Sequence, residues 1–165
     1  MSGAPPADKS SLLRSTGKRL AVVAARFNAD IVERLVEGAY EAVVATGGSR
    51  DQITLFECPG AWELPQVVAR LVDKGFDAIV AFGCVIRGDT AHFDFVAGHA
   101  STGLGAVAVA SPVPVLFGVL TTENHQQAVE RAVEQKKGYE ITLGAIEMIA
   151  LCERIAQLPP TGTRA

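Results

Sequence analysis

Four short apolar runs, at residues 20–25, 53–58, 78–84 and 113–120, are separated by longer amphipathic stretches. Each run has strand length and is rich in Val, Ile, Leu and Ala. Strands apolar on both sides belong in a sheet covered on both faces. The stretches between them carry a helical period. Residues 30–45 place Ile31, Leu35, Ala39 and Val43 on one stripe, with Glu33, Arg34, Glu37 and Glu41 off it, and Gly47-Gly48 supplies the stop. Residues 60–74 repeat the scheme, with Pro65 in the first turn and Gly75 beyond the end. Residues 92–110 are rich in small side chains; Gly98, Gly103 and Gly105 lower the helix propensity and imply close packing against a neighbour. Two helical stretches, 125–135 and 141–156, close the chain around Lys136-Lys137-Gly138. Alternating strands and helices joined by right-handed crossovers predict an α/β fold. It is a single-domain, three-layer α/β/α sandwich around a central, mainly four-stranded parallel sheet.

At 165 residues the chain fits one domain. Residues 1–17 read as a flexible lead, 18–157 as the folded domain and 158–165 as a flexible tail. Aromatic residues are only 6%, so aliphatic side chains must fill the core, and a charged fraction of 20% is low enough to imply that another subunit covers part of the outside. A net charge of −3 gives no bulk attraction to polyanions, so neither nucleic acid nor an anionic membrane is an expected partner. No stretch reaches the ~18 uninterrupted apolar residues of a membrane span, and the N-terminus lacks the apolar block of a signal peptide. The expected location is cytoplasmic. Cys58, Cys84 and Cys152 form no close pair, which leaves no disulfide framework, and all three read as buried thiols. His92, His99 and His125 match no common zinc spacing, so no metal is expected.

Ligands of open α/β sheets bind outside the carboxyl ends of the strands. Here that rim gathers Phe27, Trp62, Glu63, the Gly88-Asp89-Thr90 turn and His92. The turn precedes a helix, where free N–H groups make an anion site; an ordinary cap by Asp89 or Thr90 is the competing reading. His92 follows in the first turn, where an imidazole could exchange protons at neutral pH or simply be structural. Phe27, flanked by Arg26 and Asn28, either packs under its loop or stacks on a flat ligand. Glu63 either complements the helix dipole or accepts hydroxyl hydrogen bonds. Arg131 lies on the polar face of a late helix, where most arginines are solvated. Residues 103–108 match G-x-G-x-x-A but lie within a helical stretch instead of after a strand, so no dinucleotide site is expected.

Taken together, these segments resemble the lumazine synthase family. The matching pieces are RFN at 26–28, PGAWELP at 59–65, VIRGDTAHFDFV at 85–96, PVLFGVLTTEN at 114–124, QAVERA at 127–132 and AIEM at 145–148. They run in order from about residue 19 to about residue 155. The resemblance implies a flavodoxin-like fold. It also implies a cofactor-free condensation of a ribitylaminopyrimidinedione with dihydroxybutanone phosphate to dimethylribityllumazine, a transferase step of riboflavin biosynthesis. By the family pattern Phe27 stacks on the pyrimidine with Asn28 beside it. Ala61, Trp62 and Glu63 line the ribityl pocket, and main-chain groups near Val85 and Ile86 read the ring edge. Gly88, Asp89 and Thr90 hold the phosphate with Arg131, and His92 moves protons, oriented by Asp94. The same pattern places the site between subunits of a pentamer, with Phe117 and Arg131 coming from the neighbour.

The sequence departs from that pattern in three places. The link at 133–138 is about two residues shorter than usual and lacks its glycine-rich character. Gly98-His99 replaces a polar-acidic pair, which leaves His99 without a role. Cys84 stands where a smaller or hydroxyl residue is frequent. Two other readings compete: a cysteine hydrolase with Cys84 as nucleophile and His92 as base, opposed by the bulky Val85 and Ile86 after the thiol, and a non-catalytic flavin- or nucleotide-binding module using Phe27.

Overall fold

The structure is a computed structural model that describes residues 13–160. The outer parts of the proposed lead and tail, 1–12 and 161–165, lie outside the described residues. The chain runs β1 (Leu20–Ala25), α1 (Ala29–Ala45), β2 (Ile53–Cys58), α2 (Leu64–Ala69), β3 (Ala78–Ile86), α3 (His92–Ala110), β4 (Val115–Thr122), α4 (His125–Val129) and α5 (Lys137–Ala156). The four strands form one parallel sheet in the order β2-β1-β3-β4. This is the three-layer architecture expected from the alternating pattern.

Side-chain alternation along β1 divides the core. Leu20, Val22 and Ala24 face a cluster with Leu35 of α1 and Ile146 of α5, while Ala21, Val23 and Ala25 face one with Leu64 and Val68 of α2 and Leu104 of α3. All six residues of β1 are buried, as are the first seven of β3. The outer strand β2 departs from the expectation of cover on both faces. As an edge strand it buries only Ile53 and Cys58 and leaves Thr54, Leu55 and Glu57 exposed. Ser15, inside the stretch read as a lead, is buried: its N–H donates to the Thr46 carbonyl at 3.0 Å and its hydroxyl to that of Val43 at 2.9 Å.

The other departures have local causes. The expected helix over 60–74 is a single 3-10 turn, Ala61–Glu63, followed by the six residues of α2. Beyond it the bonds Leu71 N–H to Val68 and Lys74 N–H to Leu71 are turn bonds three residues apart. β4 is shifted two residues toward the C-terminus, because Pro112 and Pro114 donate no backbone hydrogen bonds, and its polar Thr121 and Thr122 still pair with Val85 and Ile86 of β3. The helix expected over 125–135 is α-helical only to Val129, and Glu130–Glu134 widen into a π turn. α5 begins four residues earlier than its apolar period, launched from Lys136 in a left-handed conformation (φ 47°).

α3 is the one helix among the described residues long and apolar enough to cross a membrane by length and composition. His92, Asp94, His99, Ser101 and Thr102 interrupt its apolar sequence. It buries only Ala100 and Leu104, and Gly103 makes the close approach its glycines implied, to the ring of Pro65.

Helices α1 and α5 cross at two glycines. A Cβ on Gly38 would stand 2.6 Å from the Tyr139 nitrogen, and one on Gly138 would collide with the Leu35 carbonyl. Backbone cannot yield there as a side-chain tip can. Gly138→Ala should therefore cost at least the ~1–3 kcal/mol typical of overpacking. Urea unfolding of both proteins at equal chain concentration measures this, and an unchanged midpoint would contradict the contact.

Candidate active site at the carboxyl rim

A cavity of about 790 Å³ opens at the carboxyl ends of β1, β2 and β3. Its construction starts at Asn28, which follows β1 in a left-handed conformation (φ 55°, ψ 49°) that Asn tolerates better than most residues. The Asn28 amide donates to the Cys84 carbonyl at 2.9 Å, tying the β1–α1 turn to β3. The preceding Phe27 is thereby left over the cavity with 74% of its surface exposed. The turn after β2 supplies a second wall, with Ala61, Trp62 and Glu63 lining it. A Cβ built on Gly60 would stand 3.4 Å from a Glu63 oxygen and 3.5 Å from the Phe27 ring, so both side chains converge over that glycine. Val85 and Ile86 come from the end of β3, and His92, Phe95 and Val96 from the first turns of α3.

Eight of the thirteen sequence-predicted site residues thus line one cavity: Phe27, Asn28, Ala61, Trp62, Glu63, Val85, Ile86 and His92. Five do not. Gly88, Asp89 and Thr90 sit exposed on the loop between β3 and α3, outside the lining. Phe117 lies within β4, paired in register with Ala81 and 44% exposed, and Arg131 is exposed on the π turn. Among the described residues Arg131 has no ion-pair or hydrogen-bond partner.

Two expectations about the loop are corrected. Neither Asp89 nor Thr90 occupies the cap of α3. Ala91 does, with no side-chain cap, and Thr90 Oγ1 accepts only a long 3.4 Å bond from the His92 N–H. Nor does Asp94 orient His92, because its carboxylate accepts from Arg87 Nη1 at 3.2 Å. Arg87 was missed by the sequence reading. Its guanidinium also pairs with Glu123 at 3.0 Å and lies 4.2 Å over the Phe93 ring, bracing the loop between β3, β4 and α3. Hydrogen bonding to Glu123 holds its proton more firmly than usual. The only sequence hint was a single cation at a strand end, followed by Asp89 and Asp94. A second missed pair joins α1 to α4: His125 Nε2 and Asp30 Oδ2 are 2.6 Å apart, and that hydrogen bond holds the Asp30 carboxyl below its usual range.

The site's chemistry is that of an aromatic platform, a carboxylate and an imidazole around a largely apolar floor. Among the described residues no group of three or more His, Cys, Asp or Glu could hold a metal ion.

Comparison with known proteins identifies the family. Residues 17–153 match the profile of 6,7-dimethyl-8-ribityllumazine synthase. The chain belongs to the 6,7-dimethyl-8-ribityllumazine synthase family. Relatives bearing that name from Chlorobaculum tepidum, Chlorobaculum parvum and Prosthecochloris aestuarii are 47%, 46% and 44% identical to it. Each alignment covers 146 residues, 87% of this chain and 94% of the relative.

The thiols of the site are unsuited to act as nucleophiles. Burial, reinforced by the nearby Asp30 charge, pushes Cys84 up to about 11, and burial likewise raises Cys58. Both are protonated at neutral pH, when attack needs the thiolate. In the folded protein Cys84 should react with iodoacetamide near pH 8 about two orders of magnitude more slowly than an exposed cysteine, and unfolding should remove the protection. Peptide mass mapping reads the result. Rapid labelling of Cys84 in the native state would restore the hydrolase reading.

Proposed function

We propose that the rim cavity is where the chain carries out the reaction of its family. That reaction condenses 5-amino-6-ribitylaminopyrimidinedione with 3,4-dihydroxy-2-butanone 4-phosphate to 6,7-dimethyl-8-ribityllumazine, releasing phosphate and water, in riboflavin biosynthesis. The observation that carries the proposal is the convergence of an exposed Phe27 ring, Glu63 and His92 on one cavity. Its volume lies within the ~300–1,000 Å³ usual for small-molecule sites.

Phe27 offers its face to the pyrimidine, with Asn28 beside it. Main-chain groups of Val85 and Ile86 meet the ring edge. Glu63, next to Ala61 and Trp62, accepts hydrogen bonds from the ribityl hydroxyls. The substrate amine attacks the ketone and loses a first water to form an imine, phosphate leaves, and ring closure expels a second water. His92 exchanges the protons these steps require. Both electrophile and nucleophile belong to the substrates, so no cofactor or metal is called for, and positioning the reactants supplies much of the rate.

The phosphate is assigned to Gly88, Asp89 and Thr90, on the loop that leads into α3, together with Arg131. Arg131 and Phe117 do not line their own chain's cavity. Their exposure supports a site completed by a neighbouring subunit in a homo-oligomer built on a pentamer. The folded unit is 18–157 with Ser15 of the lead packed against it, and the location is cytoplasmic, with neither nucleic acid nor membrane as partner.

The direct test mixes the purified chain with both substrates and follows lumazine absorbance together with released phosphate; no product would overturn the proposal. His92→Ala should lower turnover by about one to three orders of magnitude and leave pyrimidine binding nearly intact, since general acid–base help is typically about 10²–10⁴-fold. Equal turnover by both proteins would make His92 structural. The shared site has its own test. Phe27→Glu and Arg131→Glu should each be nearly inactive alone. A ring of head-to-tail contacts refolded from an equal mixture joins an intact Phe27 to an intact neighbouring Arg131 in about one site of four. Activity should then return to roughly a quarter of the unsubstituted level. A mixture that forms rings yet stays dead would place both residues in one subunit's site.

A further inference from the structure

Trp62 and His99 form the closest aromatic pair in the described structure. Their ring centroids lie 3.7 Å apart with the planes at 20°, a stacked arrangement. Trp62 lines the cavity, whereas His99 does not. The helical period explains how they meet. His92, Phe95 and Val96 present one face of α3 to the cavity, and His99 continues that face at the next turn, where it reaches the 3-10 turn carrying Trp62. Trp62 is 49% exposed, and among the described residues its indole N–H has no hydrogen-bond partner. The stacked imidazole restrains the plane of the indole, because stacking of two flat groups restricts both ring torsions.

We propose that His99 is a positioning residue, whose ring holds the Trp62 indole as a fixed wall against the polyol half of the pyrimidine substrate. The inference rests on the proposed function, which puts that half between Trp62 and Glu63. It gives a role to a histidine that the motif comparison left without one. His99 touches neither substrate. It acts by denying Trp62 the rotamers that would swing the indole into the cavity or away from it, so that the entropy of ordering this wall is met in folding and not in binding.

Three substitutions separate a stacking role from a merely structural one. His99→Ala removes the ring, His99→Leu keeps apolar bulk without a flat face, and His99→Phe keeps the flat face. Trp62 is the one tryptophan in the sequence, so the long-wavelength edge of the near-ultraviolet circular dichroism, where tryptophan alone absorbs, reports this ring. That band should collapse in the Ala and Leu variants and persist in the Phe variant, with far-ultraviolet spectra unchanged in all three. In steady-state assays the KM for the pyrimidine should rise about 3- to 10-fold in the Ala and Leu variants, the range an aromatic pair carries, while the KM for the phosphorylated ketone stays within error. The Phe variant should recover most of the loss. The inference is overturned if the band survives His99→Ala, if the two KM values rise together, or if Phe behaves like Ala. Failure of the proposed function looks different: the unsubstituted chain would then make no lumazine at all.

Discussion

Everything at the rim depends on the pairing of β1 with β3. Leu20 to Ala24 run parallel to Ala78 to Phe82 without solvent on either face. Two strands buried on both sides cannot slip by one residue, because a slip would move every side chain to the opposite layer. The register therefore fixes where each strand ends, and parallel direction puts the ends on one side. From that rim the Asn28 amide reaches the Cys84 carbonyl, and this bond converts strand register into the position of Phe27. The platform is as well placed as the sheet is rigid.

Layers built on so regular a sheet still need room, and glycine supplies it at the contacts that set helix position. Gly38 and Gly138 let α1 and α5 touch backbone to backbone, and Gly103 lets α3 lie against Pro65 beneath the turn that carries Trp62 and Glu63. Gly118 does the same inside the sheet, where a Cβ would strike the Phe82 ring. None of these glycines lines the cavity, yet they decide how far each helix stands from the strands and so how the cavity walls face each other.

The sequence made the strands and the rim legible because buried strands are written as continuous apolar runs and the rim as the polar residues that interrupt them. Residues 20–25 and 53–58 coincide with β1 and β2, and 92–110 with α3. What it could not show were features decided by contacts between distant segments. The π turn at Glu130–Glu134 and the left-handed Lys136 leave the apolar period almost unchanged. The claim of Arg87 on Asp94 depends on Glu123 arriving from β4. Residue types told that a carboxylate stood near His92, and only geometry told which partner held it. The exposed edge of β2 was likewise hidden, because Leu55 and Phe56 read as core until strand order puts that strand outermost.

The same reasoning explains why α3 looks as it does. A helix as apolar as α3 is normally buried, yet it buries two residues of nineteen in the single chain, while Phe95 is 70% and Val109 91% exposed. Its inner face is committed to the sheet through Ala100 and Leu104 and its first turns to the cavity through His92 and Val96. Apart from Asp94, Ser101 and Thr102, the exposed remainder is largely apolar surface on the helix that also forms a wall of the cavity. Cover over that surface would shield the open side of the cavity from water, and exclusion of water strengthens each polar contact made inside. The proposed ring would provide such cover. In that arrangement the low charge of the chain, the bare face of α3 and the separation of Arg131 from its own chain's cavity would share one physical cause: part of the solvent-excluding wall would belong to the next subunit.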